Sequence, residues 1–173
     1  MTEYWDVYDK NRKPVGRLHK RSSKPGEYLK PGDYHLVCEA WIITPDNRLL
    51  ITQRHPNKHY GTKWECTGGA VIAGEDSRQG IIREIKEEVG IQVSDDELEF
   101  VSTAWGANYF TDYFLIRRDI KLDELVLQEE EVTGARLVTP EEFISLYKQG
   151  KLVPNLYRYM KEIDFYFLKG KHK

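Results

Sequence analysis

The chain opens with short strand-like runs. Residues 4–8 and 15–19 carry aromatic and β-branched side chains on either side of the turn signal Asp9-Lys10-Asn11, which predicts a hairpin over about residues 4–19. Residues 20–33 are rich in Lys, Ser, Pro and Gly and read as a loop. The run 34–44 is almost continuously apolar, with β-branched and aromatic members, as expected of a central strand. Pro45-Asp46-Asn47 is a turn signal, so residues 48–53 are expected to pair back on that strand as a hairpin.

The rhythm then changes. Over 76–89 the apolar residues Ile81, Ile82, Ile85 and Val89 recur at helical spacing, with Asp76 or Ser77 as N-cap and Gly90 as the stop. Two strands are predicted over 98–105 and 109–116, around Gly106-Ala107-Asn108, and a last one over 135–138. The acidic stretch 119–131 reads in part as loop. Thr139 and Pro140 open a helix running to about Lys148. A final helix is predicted over about 154–168, with Leu156, Met160, Ile163 and Phe167 on one stripe. Tyr157, Tyr159 and Phe165 lie off that stripe, which leaves a homodimer contact open beside plain cover over the sheet. Strands and helices in this order give an α/β chain.

Composition narrows the function classes. At 173 residues the chain suits one domain with a proper core. A formal charge of −2 gives no electrostatic case for a nucleic-acid polymer or a membrane surface as partner. Two cysteines, Cys38 and Cys66, make no disulfide framework. No apolar run approaches the roughly 20 residues of a membrane span, and a cytoplasmic location is the expectation.

The chemistry concentrates on the helix 76–89. Glu84, Glu87 and Glu88 stand at i, i+3 and i+4, so their carboxylates share one face. Like charges so spaced cost about 0.2–0.5 kcal/mol per pair. A hard divalent cation such as Mg²⁺ or Mn²⁺ turns that repulsion into a binding site. Arg83 is one turn before Glu87 and can fix it. Gly80 leaves the same face open for a ligand or a close backbone. Before the helix lies a basic, aromatic loop containing Arg54, Lys58 and Trp64. Cations beside a carboxylate-metal site suit a polyphosphate, whose remaining oxygens need donors. Tyr109 belongs to an aromatic cluster able to stack on a planar group.

From Gly69 to Ile91 the residues read G-x5-E-x7-R-E-U-x-E-E-x-G-U, where U is apolar. This stretch resembles the signature box of the Nudix hydrolases, of the MutT-like kind, at every fixed position. The opening of the chain is also similar to Nudix proteins related to isopentenyl-diphosphate isomerase. The resemblance implies an α/β/α sandwich with a mixed sheet and metal-dependent cleavage of a nucleoside diphosphate linked to another moiety. It makes Glu84, Glu87 and Glu88 the metal ligands, joined by the backbone carbonyl of Gly68 or Gly69, with Gly69 preferred. Arg83 would orient Glu87, and Glu75 would hold the loop. It also implies a further carboxylate from the segment holding Glu129, Glu130 and Glu131, of which Glu131 is favoured. Glu84 and Glu131 both stay open as general base. The resemblance leaves two rivals. One is an isomerase, although Gly68 and Ala70 stand where such enzymes carry their cysteine and histidine, and Cys66 is two residues early. The other is a non-catalytic nucleotide sensor, although the box is intact.

Overall fold

The computed structural model describes residues 2–22, 24, 27–154 and 156. Apart from Pro154 and Leu156, the predicted helix over 154–168, and with it the Tyr157, Tyr159 and Phe165 surface, lies outside these residues.

Strand β3 (His35–Ile43) is the axis of the molecule. It lies parallel to β8 (Tyr109–Arg117) over its whole length, and β7 (Glu99–Trp105) continues antiparallel to β8. On its other side β3 forks. Residues 37–40 pair antiparallel with β6 (Thr67–Ala70), while Ile43 pairs with Leu49 at the start of β4 (Leu49–Arg54). The predicted β3–β4 hairpin is thus reduced to one residue pair. Strand β4 splays away to pair with β9 (Val132–Val138) on one edge and the two-residue β5 (Trp64–Glu65) on the other. The short β5 and β6 were hidden in the sequence by their glycines and polar residues.

The pleat of β3 sorts the core. Leu36, Cys38, Ala40 and Ile42 face one side and pack with Ile81, Ile85 and Val89 of helix α1 (Ser77–Val89). Trp41 and Ile43 face the other side and pack with Phe143 and Leu146 of helix α2 (Pro140–Lys148). Helices on both faces of a mixed sheet make the predicted α/β/α sandwich. Both helices start on capping boxes, Asp76 with Gln79 and Thr139 with Glu142, and α1 stops at Gly90 with φ 74°. Gly80 serves packing rather than a ligand. A Cβ there would stand 3.0 Å from Val71 and 3.4 Å from Cys38 Sγ, so the glycine lets α1 lie close on the sheet.

The N-terminal hairpin, β1 (Tyr4–Tyr8) and β2 (Pro14–Lys20), forms a separate two-stranded sheet. It is tied down at several points. Tyr8 and Tyr34 exchange backbone hydrogen bonds of 2.8 and 2.9 Å. Ala73 N–H donates to the Tyr4 carbonyl at 2.7 Å, and Gly74 N–H to Asp6 Oδ2 at 2.8 Å. Arg12 makes a two-pronged ion pair with the buried Asp112 on β8. The hairpin therefore clamps the loop before α1 and ends with Glu3 and Arg21 beside it.

Candidate active site

Helix α1 carries Glu84, Glu87 and Glu88 toward β6, and Arg83 organises them. Its Nε donates to Glu75 Oε1 at 2.9 Å, and its Nη1 to Glu84 Oε1 at 2.8 Å and Glu87 Oε2 at 3.0 Å. Its Nη2 reaches the Ala70 carbonyl at 3.1 Å. The expected Arg83–Glu87 contact is present, and the role of Arg83 is broader than its spacing suggested. It bridges three carboxylates and the strand. Although burial opposes its charge, the bonds to Glu75 and Glu84 raise the Arg83 pKa, so it stays a cation. Glu75 holds the loop as expected, accepting from Arg83 and, at 3.4 Å, from Ile72 N–H.

The glycines of β6 allow this closeness. A Cβ on Gly69 would lie 2.5–2.7 Å from the Glu84 carboxylate, so only glycine admits that group against the strand. The carbonyl preference for Gly69, however, is not what the pleat provides. Cys38 stands opposite Gly69, and its Sγ–H donates to the Gly69 carbonyl at 3.5 Å. Two residues on, Val71 N–H donates to the Leu36 carbonyl at 3.0 Å, so residues 69 and 71 turn their backbone groups to β3. Gly68 turns the other way, its N–H donating to Glu88 Oε2 at 3.3 Å. Alternation along a strand therefore gives the α1-facing carbonyl to Gly68.

The opposite wall comes from the segment after η-turn 122–124. Val126 N–H donates to the Val89 carbonyl and Gln128 N–H to the Glu88 carbonyl, each at 3.1 Å, which laces this segment to the end of α1. A turn from Gln128 to Glu131 then aims Glu131 inward, while Glu129 and Glu130 stay exposed. Lys58 forms an ion pair with Glu131, and His55 N–H donates to the Glu131 carbonyl at 2.8 Å. Gly68, Gly69, Glu84, Glu87, Glu88 and Glu131 surround one cleft of about 90 Å³. Lys58, Arg83, Glu3 and Arg21 also line it, with Ala70 and Gln128. Sequence reasoning missed Glu3 and Arg21, because no spacing ties a hairpin end to a helix so distant in the chain.

Burial, reinforced by the charges of Glu65 and Glu84, pushes the Glu88 carboxyl up, and burial raises Glu84 as well. Crowded, partly desolvated acids of this kind favour a cation as counter-charge. The donor set is all oxygen, as Mg²⁺ and Mn²⁺ require, and the glycine cradle brings a carbonyl beside the carboxylates. These residues fit a hard divalent ion. Among the described residues no three acidic, histidine or cysteine side chains already converge as a closed metal site.

The remaining candidates divide. Arg54 pairs with Glu65 at 2.6 Å, and both border a second cavity of about 510 Å³. The parallel register sets His35 beside Tyr109, Val37 beside Thr111 and Glu39 beside Tyr113, and these pairs pave its floor beyond the reach of α2. The exposed Trp105 stands at its edge. Arg54 and Tyr109 thus meet in this cavity, and Lys58 meets the glutamates. Trp64 joins neither group. It packs on the α2-side core with the Arg136 guanidinium 5.4 Å from its ring centroid, because its β5 backbone is bonded to Lys151. Cys66 is buried in that same core and its thiol is pushed well up by burial, so it takes no part in the cleft.

A mixed sheet between helices thus carries a glutamate-lined cleft whose oxygen donors suit a metal-held phosphate anhydride, and comparison with known proteins gives the family. Residues 33–163 match the NUDIX domain family model. An uncharacterized Nudix hydrolase of Listeria monocytogenes is 36% identical over 157 residues, covering 88% of this chain and 89% of its own length. The 8-oxo-dGTP diphosphatase of Escherichia coli is 41% identical over 55 residues, 32% of this chain and 43% of that protein. A Deinococcus radiodurans crystal structure superposes with a TM-score of 0.75 at 20% identity, covering 93% of this chain and 99% of that one. The chain belongs to the Nudix hydrolase family and is a pyrophosphate-bond hydrolase. Among the described residues no helix is long and apolar enough to cross a membrane.

Proposed function

We propose that the chain is a Mg²⁺- or Mn²⁺-dependent pyrophosphohydrolase that cleaves a nucleoside diphosphate linked to another moiety. The observation that carries this reading is the meeting of Glu131 and Lys58 with Glu84, Glu87 and Glu88 around one cleft. Glu84, Glu87, Glu88 and the Gly68 carbonyl would hold the cation. When bound, it neutralises diphosphate charge and acidifies a water.

The chain's own residues supply the rest. Arg83 keeps Glu84 and Glu87 aimed together. Glu131 faces the helix carboxylates and has no bond to Arg83, so it takes the water proton as general base. Lys58, freed as Glu131 accepts that proton, turns its ammonium to the diphosphate. The 510 Å³ cavity lies just across the Arg54–Glu65 pair and suits the substrate's planar group. Trp105 stands exposed at its edge and Tyr109 lies on its floor, and among the described residues His35 Nδ1 is a buried atom with no hydrogen-bond partner. The diphosphatase activity named for the Escherichia coli relative supports the same bond class.

The test is phosphate or pyrophosphate release from a panel of nucleotides, sugar nucleotides, dinucleoside polyphosphates and coenzyme A, with Mg²⁺, with Mn²⁺ and with chelator. Turnover of a nucleotide-linked diphosphate that stops in chelator is expected. Equal turnover in chelator would refute metal dependence.

A further inference from the structure

Arg83 has its donors committed to three carboxylates and a carbonyl. Lys58 starts paired with Glu131, and Arg54 with Glu65. Among the described residues that line the cleft, the remaining cation is Arg21, which the N-terminal hairpin delivers just past β2. Its backbone N–H donates to the Glu3 carbonyl at 2.9 Å, and its guanidinium pairs through Nη1 with the Glu3 carboxylate. The two side chains are 53% and 43% exposed, so water competes for the pair and its net worth is small. Both residues line the glutamate cleft, and both also line an adjoining cavity of about 630 Å³ that shares Glu131 with it. Trp5, Lys20 and Lys24 border that cavity, and among the described residues Trp5 Nε1 is a buried donor with no hydrogen-bond partner. The charge of Arg21 is felt at Lys58, and that of Glu3 at Glu84, which places the pair within electrostatic reach of the proposed reaction centre.

Resting on the hydrolase reading, we propose that Arg21 binds a phosphoryl group of the substrate at the hairpin wall of the cleft, and that Glu3 holds Arg21 in reserve until the phosphate displaces it. An exposed carboxylate partner is easily exchanged for a phosphate, which takes the guanidinium fork more strongly. The substrate class is then a diphosphate with an anionic phosphoryl group reaching toward the hairpin.

The two members of the pair predict opposite effects. Arg21→Ala removes a phosphate donor and should raise KM about tenfold with kcat within threefold, as expected for one lost charge-assisted contact. Arg21→Lys should recover part of it. Glu3→Gln removes the competitor and should lower KM about two- to threefold, since an exposed ion pair competes only weakly. The same order should appear in calorimetric binding of methylenediphosphonate with Mg²⁺ to the full chain. If the pair merely braces the hairpin, both variants lose the same contact and move KM and Tm together. Such parallel shifts, or no shift in either, overturn the assignment of Arg21 while turnover abolished by Glu88→Gln leaves the hydrolase reading standing. Diphosphonate binding weakened by Arg21→Ala in a protein that hydrolyses nothing would support Arg21 and overturn the hydrolase reading instead.

Discussion

Gly69→Ala separates the chemistry of this cleft from its folding. The added Cβ would sit 2.5 Å from Glu84 Oε1 and 2.6 Å from Cδ. Ordinary non-bonded contact is about 3.5 Å, so the carboxylate must retreat by about 1 Å. Because it is the end of a flexible side chain, it can do so without moving the backbone. Replacing glycine where its φ is compatible favours the fold slightly, by about 0.4–1 kcal/mol. A reacting-group displacement of about 1 Å costs on the order of 10²-fold in rate, or about 2.7 kcal/mol of transition-state stabilisation. Gly69→Ala should therefore keep or raise Tm while kcat/KM falls about a hundredfold and the Mg²⁺ concentration needed rises. Gly68→Ala is the contrast. Its Cβ would meet the Cys38 carbonyl oxygen and come within 2.8 Å of Glu39 Cα, which is β3 backbone and cannot step aside. That variant should lose stability first. Thermal melts beside steady-state kinetics decide the matter. Wild-type kcat/KM in Gly69→Ala, or a Tm loss matching Gly68→Ala, would refute the placement of Glu84 against β6.

Three further outcomes follow from the same contacts. Arg83→Lys replaces a fork that serves Glu75, Glu84 and Glu87 with a point charge, so kcat/KM should fall about 10–100-fold with a raised Mg²⁺ requirement, read from metal titrations of the rate. Arg12→Ala leaves the Asp112 carboxylate, 1% exposed, without its counter-ion, and should cost about 3 kcal/mol and about 10 °C in Tm, measured by thermal or urea unfolding. Burial pushes Glu39 from 4.5 up to about 8, so between those values the folded chain keeps a proton that the unfolded chain releases, and stability is lost as pH rises through 8. Glu39→Gln lacks that penalty. Its Tm advantage over wild type should be near nil at pH 5 and largest at pH 9, and a constant difference would contradict the raised pKa of that carboxyl.

Periodicity located the long elements. Strand β3, helix α1 with its Asp76 cap and Gly90 stop, and helix α2 behind Thr139 all fall within a residue or two of their predicted bounds. The site was legible where one helix carries it, because i, i+3, i+4 geometry is local. Glu131 was reachable because its neighbour, a strand, fixes it. What failed was non-local. Nothing in residues 48–53 reveals that β4 prefers β9 to β3, since pairing partners are chosen by the whole sheet. Trp64 read as a binding aromatic because its neighbours are basic, yet two bonds from its own short strand turn it into the core. Gly68 and Gly69 differ only by the pleat, and pairing with β3 was needed to tell which carbonyl faces the helix. Glu3 and Arg21 reach the cleft through the docking of the hairpin, a tertiary event without local signature.

The central claim is that the α1 carboxylates act on a diphosphate. The most direct measurement is phosphate or pyrophosphate release by wild type and Glu88→Gln side by side, with Mg²⁺ at about pH 8, on whichever panel compound wild type turns over. Glu88 is buried, 4% exposed, and bonded to Gly68 N–H, a contact that the amide's oxygen can keep. The variant should fold with wild-type Tm or higher and lose at least about 10²-fold in kcat, as for other groups that act in the transition state. Wild-type turnover by a folded Glu88→Gln would contradict the account.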